Sequence, residues 1–246
     1  MSDATLGALM LREDRGAVRI LHMNRPDKLN ALNTPLTQAL LNSLQEADAD
    51  PAVRAVVLAG VGRGFCAGAD LAEFRDLTPD RQRLVTARAD LTCRTQSALQ
   101  KIGKPVVGAV HGSAIGGGAG LAIGCDMTVA ATDLKFGYPE LKHSIVPALV
   151  MTGLQRHLGR KAAFEMISLG RLIGAEEARA LGLVNRVVPP ERLEAEAMGI
   201  AEVWAAANPM AMAAAKRLFY RVADLPYDAA MAAGQDVNTI MRGFRP

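Results

Sequence analysis

The stretch Val106–Asp126, VVGAVHGSAIGGGAGLAIGCD, carries seven glycines in twenty-one residues and no formal charge before Asp126. Glycine lets backbone come close to another group and leaves amide N–H groups uncovered by side chains. The apolar run Val106–Val110 reads as a strand, Gly112–Gly118 as a loop, and the small-residue run Ala119–Gly124 as a tightly packed helix. N–H groups at a helix N-terminus point outward and favour negative charge. The stretch therefore reads as an anion site built from backbone. A second glycine-rich loop, Gly60–Asp70, follows another short apolar run, Ala55–Ala59.

Two other readings of the stretch fail. It is long enough to span a bilayer, but it is rich in glycine, contains His111 and has no apolar partner of similar length. No membrane association is expected. A dinucleotide fingerprint needs G-x-G-x-x-G. Counting from Gly116 and Gly118 the third glycine position is Leu121, and from Gly118 and Gly120 it is Ile123. The phosphate-loop signature is also absent.

Composition narrows the class. Half of the 246 residues are hydrophobic and 22% are charged, as in an ordinary globular chain. A net charge of +3 with 4% aromatic residues argues against nucleic acid as a partner. Cys66, Cys93 and Cys125 are odd in number and widely spaced, which fits neither a disulfide framework nor a metal cluster. All three are expected to be buried, inert thiols in a reducing compartment. The start, MSDATLGALM, lacks a basic region followed by an apolar core, so a cytoplasmic address is expected.

The elements around the glycine loops follow from periodicity. Ala17–Met23 alternates as a strand, and Asn24–Asn33 is a turn-rich loop carrying Arg25 and Lys28. Thr34-Pro35 reads as an N-cap followed by proline at the first helical position. Leu36, Leu40, Leu44 and Ala47 form one helical stripe, and Leu84, Ala87, Leu91, Thr95, Ala98 and Ile102 another. A short strand at Thr128–Ala131 precedes the turn-rich segment Phe136–Val150. Helices are expected at Leu149–Leu158, Lys161–Leu169 and Ala175–Leu181, and a last strand within Leu183–Pro190. From Glu191 the pattern is helical, broken at Asn208-Pro209 and near Leu225-Pro226. Pro189-Pro190 is the candidate boundary between a mixed α/β part, 1–190, and a helical part, 191–246.

Four segments, NRPDKLNAL, GRGFCAGADL, HGSAIGGGAG with its downstream CD, and FGYPE, together resemble the enoyl-CoA hydratase/isomerase (crotonase) superfamily. The match runs from about residue 6 to about residue 244. The resemblance implies an α/β fold, a spiral of ββα units, with a C-terminal helical region that supports homotrimers or dimers of trimers. It implies an acyl-CoA substrate, with coenzyme A part of the substrate and neither a separate cofactor nor a metal. The amides of Ala69 and Gly117 would form the oxyanion hole for the thioester oxygen. Arg25, Lys28, Leu29 and Ala31, with Ala67, Gly68, Asp70 and Leu71, and Gly116 beside the hole, would line the CoA and substrate site. Phe74–Leu91 would line part of the acyl pocket.

Proton removal beside a thioester places negative charge on the thioester oxygen, and two fixed N–H donors stabilise it; losing one such donor costs roughly 10²–10³ in rate. The resemblance supplies the base as Glu140 of the P-E pair. The family's first carboxylate falls at Gly120, where this chain has none. After Pro147, the hydratase-like PGAGG is replaced by PALVM, which makes that wall drier through Leu149 and Val150. Both departures favour a double-bond isomerase with Glu140 as a single proton shuttle. The alternatives are a hydratase, a catalytically silent acyl-CoA-binding protein, and decarboxylase or hydrolase chemistry on the same scaffold. Burial in an apolar pocket should raise the pKa of Glu140. Asp70 reads as a loop anchor, Asp126 as a helix-end residue, and His111 as a strand-end histidine; His143 has no assigned role. The chain ends at GFRP, where relatives continue through one more basic helix, so CoA affinity or assembly is expected to differ.

Overall fold

The computed structural model describes residues 8–244. Among them, β1 (Met10–Arg15), β2 (Val18–Met23), β3 (Ala55–Gly60), β4 (Val106–Val110), β6 (Met127–Ala131) and β9 (Arg186–Val188) form a six-stranded sheet in the order β1-β2-β3-β4-β6-β9. Only the β1–β2 pair is antiparallel. A second sheet of three short strands has the order β5-β7-β8, from Ser113–Ile115, Lys135–Gly137 and Leu172–Ile173.

The chain repeats one unit. A strand of the large sheet leads to a short extended segment across its end, and then to a helix or helical turn. β4, β5 and α3 (Gly117–Gly124) form one such unit. β3 leads to an extended bridge at Cys66 and then to α2 (Gln82–Lys101). β2 leads to a bridge at Leu32 and then to α1 (Thr34–Ala49). Leu32 pairs with Ala69, Cys66 with Ala114, and β5 with β7, so each turn of the spiral is pinned to the next.

Both faces of the large sheet are covered, which is why its inner strands read as apolar runs. Val56, Leu58, Val106 and Val110 face α1–α3, whereas Val57, Ala55, Val107 and Ala109 face the other side. That other side is covered by α7 (Leu193–Ala206), through Leu193, Ala197, Ile200 and Ala201. The packed core therefore continues past Pro189-Pro190 to Ala205. A boundary placed at the Pro pair separates α7 from the sheet it covers. α8 (Pro209–Val222) and α9 (Tyr227–Ile240) lie beyond.

Several local expectations need correction. Asn33 caps α1, accepting the Leu36 N–H at 3.0 Å, so Thr34 and Pro35 are already helical. β1 was hidden in charged sequence because it is an exposed edge, where charge discourages further pairing. Its anchor is Arg19, whose buried guanidinium bonds Asp14 and Asp50. β5 lies inside the stretch read as a loop, and α3 starts at Gly117 rather than Ala119. The remaining helices are α4 (Val150–Leu158), α5 (Arg160–Leu169) and α6 (Ala175–Ala180). Cys93 is exposed, whereas Cys66 and Cys125 are buried; none is in a disulfide. No described helix is long and apolar enough to cross a membrane. The leader reading rests partly on residues 1–7, which lie outside the described residues, as do 245–246.

Candidate active site

Two bare amides meet where the spiral's turns are pinned. In the bridge between Leu32 and Ala69, Leu32 N–H donates to Gly68 O at 2.7 Å and Asp70 N–H donates to Leu32 O at 3.2 Å. Alternation along an extended segment then turns the Ala69 N–H the opposite way. Gly117 opens α3, so its N–H has no partner within the helix. Its neighbour Gly116 spends its own N–H on Gly137 O at 2.8 Å. Neither Ala69 nor Gly117 donates its N–H to a protein acceptor among the described residues.

The two segments touch. A β-carbon on Gly68 would lie 3.4 Å from Gly117 N and 2.7 Å from Ile115 O, and one on Gly117 would lie 3.9 Å from Ala69 N. Gly68 has φ +90°, which only glycine adopts freely. A side chain on Gly118 would collide with the Cys66 carbonyl. The glycines thus serve contact between loops as much as access for a ligand.

Glu140 begins a 3₁₀ turn, Glu140–His143, after β7. Its Oε1 lies 2.5 Å from where a β-carbon on Gly116 would stand, so the carboxyl rests against the start of α3. Its Oε2 is buried without a hydrogen-bond partner. Burial pushes the Glu140 pKa up from the usual carboxylate range, and its own backbone N–H opposes this only in part. A carboxyl so buried holds its proton more tightly than a solvated one. The Tyr138 hydroxyl, fully buried and also without a partner, has its pKa raised by burial and then by the Glu140 charge.

The position of the missing carboxylate is closed by packing. A β-carbon on Gly120 would stand 2.7 Å from Val150 Cγ1 and 2.8 Å from Gln96 Oε1. Gly120 and Gly124 form the face on which α2 lies, since a β-carbon on Gly124 would stand 3.0 Å from Leu99 Cδ1. Val150, at the start of α4, is buried there, while Leu149 is exposed. The two sequence departures, at Gly120 and in PALVM, are therefore one steric arrangement.

In the first loop Arg25, expected to line the CoA site, is spent on contacts within the protein. Arg25 donates to Ala31 O and to Asp70 Oδ2, the latter at 2.9 Å, in a largely buried ion pair. It holds the loop containing Ala31 to the loop containing Asp70. Burial pushes the Asp70 carboxyl up, but the Arg25 guanidinium and the Ala72 N–H outweigh it and hold the pKa below the usual range. Lys28 is exposed on the Pro26–Lys28 turn and keeps its reach into solvent. Leu29, with Asn30, takes left-handed backbone, and Leu29 O accepts the Ala67 N–H at 2.9 Å. Ala31 and Ala67 are partly buried, and Leu71 is 47% exposed.

Sequence reasoning missed Asn30, the post of this loop. It is fully buried, accepts the Arg25 N–H at 2.8 Å, and donates to Val61 O and Gly64 O at 3.0 and 2.9 Å. Its place in a turn-forming run was the available signal. Cys66, packed against Gly118, is buried, and that burial pushes its thiol pKa up to about 12. Asp126 accepts from Lys216 and Tyr220 at 2.7 and 2.8 Å and ties α8 to the core. His111 meets Gly62 O at 2.8 Å at the end of β4, and His143 is exposed.

The comparisons with known proteins converge on one family. Residues 13–241 match the family described as enoyl-CoA hydratase/isomerase. A Thermus thermophilus protein named as a candidate enoyl-CoA hydratase is 39% identical, over 85% of this chain and 83% of its own length. The 2,3-dehydroadipyl-CoA hydratase of Escherichia coli is 33% identical, over 91% of this chain and 86% of its own. The crystal structure of an enoyl-CoA hydratase from Mycobacterium smegmatis superposes with a TM-score of 0.89 at 36% identity, covering 95% of this chain and 91% of that one. With the spiral of ββα units and the paired bare amides in place, the chain belongs to the enoyl-CoA hydratase/isomerase family, the crotonase superfamily.

Proposed function

We propose that this chain is an enoyl-CoA isomerase that moves a double bond between the β,γ and α,β positions of an acyl-CoA thioester. The observation that carries the reading is the contrast at the hole. Glu140 rests against Gly116, next to the Gly117 amide, with a buried, unpartnered oxygen, whereas the Gly120 side is filled by Val150 and Gln96. The Ala69 and Gly117 amides polarise the thioester carbonyl. Glu140 removes a proton from C2, and the electron pair of that bond spreads into a dienolate with its charge on the thioester oxygen. The same carboxyl returns the proton at C4, leaving the double bond at C2–C3. No water enters the balance.

Residues Leu29, Ala31, Ala67, Gly68 and Leu71 would line the CoA, with Lys28 as a phosphate charge. Exposed Met210, Phe219, Tyr227, Met231 and Ile240 on α8 and α9 support assembly into trimers or dimers of trimers. The free cysteines fit a reducing, cytoplasmic setting.

The second reading is a hydratase, favoured by the names of the relatives. A test in ¹⁸O-water separates the two. With a set of 3-enoyl- and 2-enoyl-CoA esters, the isomerase produces migrated double bonds without label, and a hydratase produces labelled 3-hydroxyacyl-CoA. Replacing Glu140→Gln should reduce turnover by about 10²–10⁴-fold with acyl-CoA binding retained. Label incorporation at rates above migration overturns the isomerase reading; full activity in Glu140→Gln overturns the base.

A further inference from the structure

One helix touches both halves of the oxyanion hole. Near the middle of α2, Arg88 donates to Leu32 O at 2.8 Å, the same carbonyl that accepts the Asp70 N–H beside Ala69. Arg88 is largely buried and also bonds Glu73 at 3.1 Å, whose other oxygen accepts the Thr34 N–H at 2.9 Å. About two turns further along, Gln96 Nε2 donates to Gly117 O at 2.9 Å. The carbonyl acceptor fixes the amide's orientation, since only the NH₂ end can donate. Oε1 is thereby placed over Gly120.

We propose that Arg88 and Gln96 are positioning residues, and that through them α2 acts as a splint that sets the separation of the Ala69 and Gly117 amides. The inference rests on the acyl-CoA reading above. The two amides belong to different turns of the spiral, and the donors of an oxyanion hole act only if fixed before charge develops. The Arg88 contact holds the Leu32–Ala69 bridge. The Gln96 contact holds the first residue of α3 at its carbonyl while leaving its N–H bare. Neither side chain needs to touch the substrate thioester.

The test reads carbonyl polarisation directly. Hexa-2,4-dienoyl-CoA is bound to the Glu140→Gln protein, so that the probe is not consumed, and the red shift of its thioester chromophore is recorded. Adding Gln96→Met, which keeps length and removes the donor, should abolish most of the shift. In the protein with Glu140 intact, Gln96→Met should lower kcat about tenfold with KM changed by less than about twofold. Arg88→Lys, which keeps the charge toward Glu73 but loses the forked reach to Leu32 O, should give a smaller loss of the same kind. A full red shift in both Gln96→Met and Arg88→Lys, or a loss confined to KM, overturns the proposal. Absence of any red shift in the Glu140→Gln protein itself overturns the acyl-CoA reading, which keeps the two failures distinguishable.

Discussion

The Glu140 side of the hole and the Gly120 side lie against the same short helix and are built in opposite ways. At Glu140 a carboxyl is pressed against Gly116 and one oxygen has no partner. At Gly120 there is no ionisable group, and α2 and α4 close to contact distance through the Gln96 amide oxygen and Val150. The Glu140 side is left under-satisfied, at a cost in stability, and the Gly120 side is filled to contact distance. On the isomerase proposal, one buried, unpartnered carboxylate oxygen and a filled opposite side suit shuttling a proton better than adding a water.

The sharpest way to break the contrast is to disturb the Glu140 side at its backbone. Gly116→Ala adds a β-carbon 2.5 Å from Glu140 Oε1, at a residue with φ +51°. The carboxyl must move, and the Gly117 amide moves with the strained peptide. We expect turnover to fall by roughly 10²–10³-fold, on the scale of losing one oxyanion donor. Steady-state kinetics with the best acyl-CoA ester checks it; activity within about threefold of the parent would show that Glu140 does not depend on this contact.

The opposite wall gives the next effect. Gly120→Glu alone should not restore hydration, because its first side-chain atom already meets Val150 and Gln96. We expect about 1–3 kcal/mol of destabilisation from overpacking, read as a lower midpoint in urea. Combining Gly120→Glu with Val150→Gly opens the space and should regain part of that stability. Label from ¹⁸O-water should then rise in the 3-hydroxyacyl product. Greater hydration from Gly120→Glu by itself would contradict the closed wall.

These pairings explain what could be read in advance. The sheet strands β3, β4 and β6 were legible as short, mainly apolar runs buried on both faces, and β2 by its alternation. Glycine spacing located the two loops, since close approach and left-handed backbone at Gly68 and Gly116 leave few other residues possible. β1 was not legible, because its contacts are backbone ladder and ion pairs on an exposed edge, with no apolar alternation. The Arg25 ion pair was not legible because sequence does not show that Asp70, far along the chain, lies 2.9 Å away. The same non-local pairing hid Asn30, Arg88 and Gln96. A glycine at 120 announced a missing carboxylate, but only coordinates show that Val150 and Gln96 fill the space.

The smallest effect concerns the cost of keeping Glu140 ready. Its pKa is raised by burial above the ordinary value of 4.5, so the folded state holds the proton more tightly than the unfolded chain. The sign follows: the stabilisation from protonated Glu140 is complete below the ordinary carboxylate pKa and is lost as pH rises through the folded value. Gln does not titrate, so Glu140→Gln should be more stable than the parent at neutral pH. The unpartnered buried oxygen sets the scale at about 1 kcal/mol, or roughly 2–4 °C in Tm for a chain of this length. The advantage should shrink as pH falls toward 4.5, where both proteins carry an uncharged group at that position. In the parent enzyme the same titration governs the acid limb of kcat/KM, whose midpoint should lie above 4.5 because only the ionised carboxyl takes the C2 proton. Thermal unfolding of both proteins across the acid range, beside the pH–rate profile, checks both statements at once. A stability difference that does not change with pH would mean that the burial of Glu140 is unrelated to its role as the base.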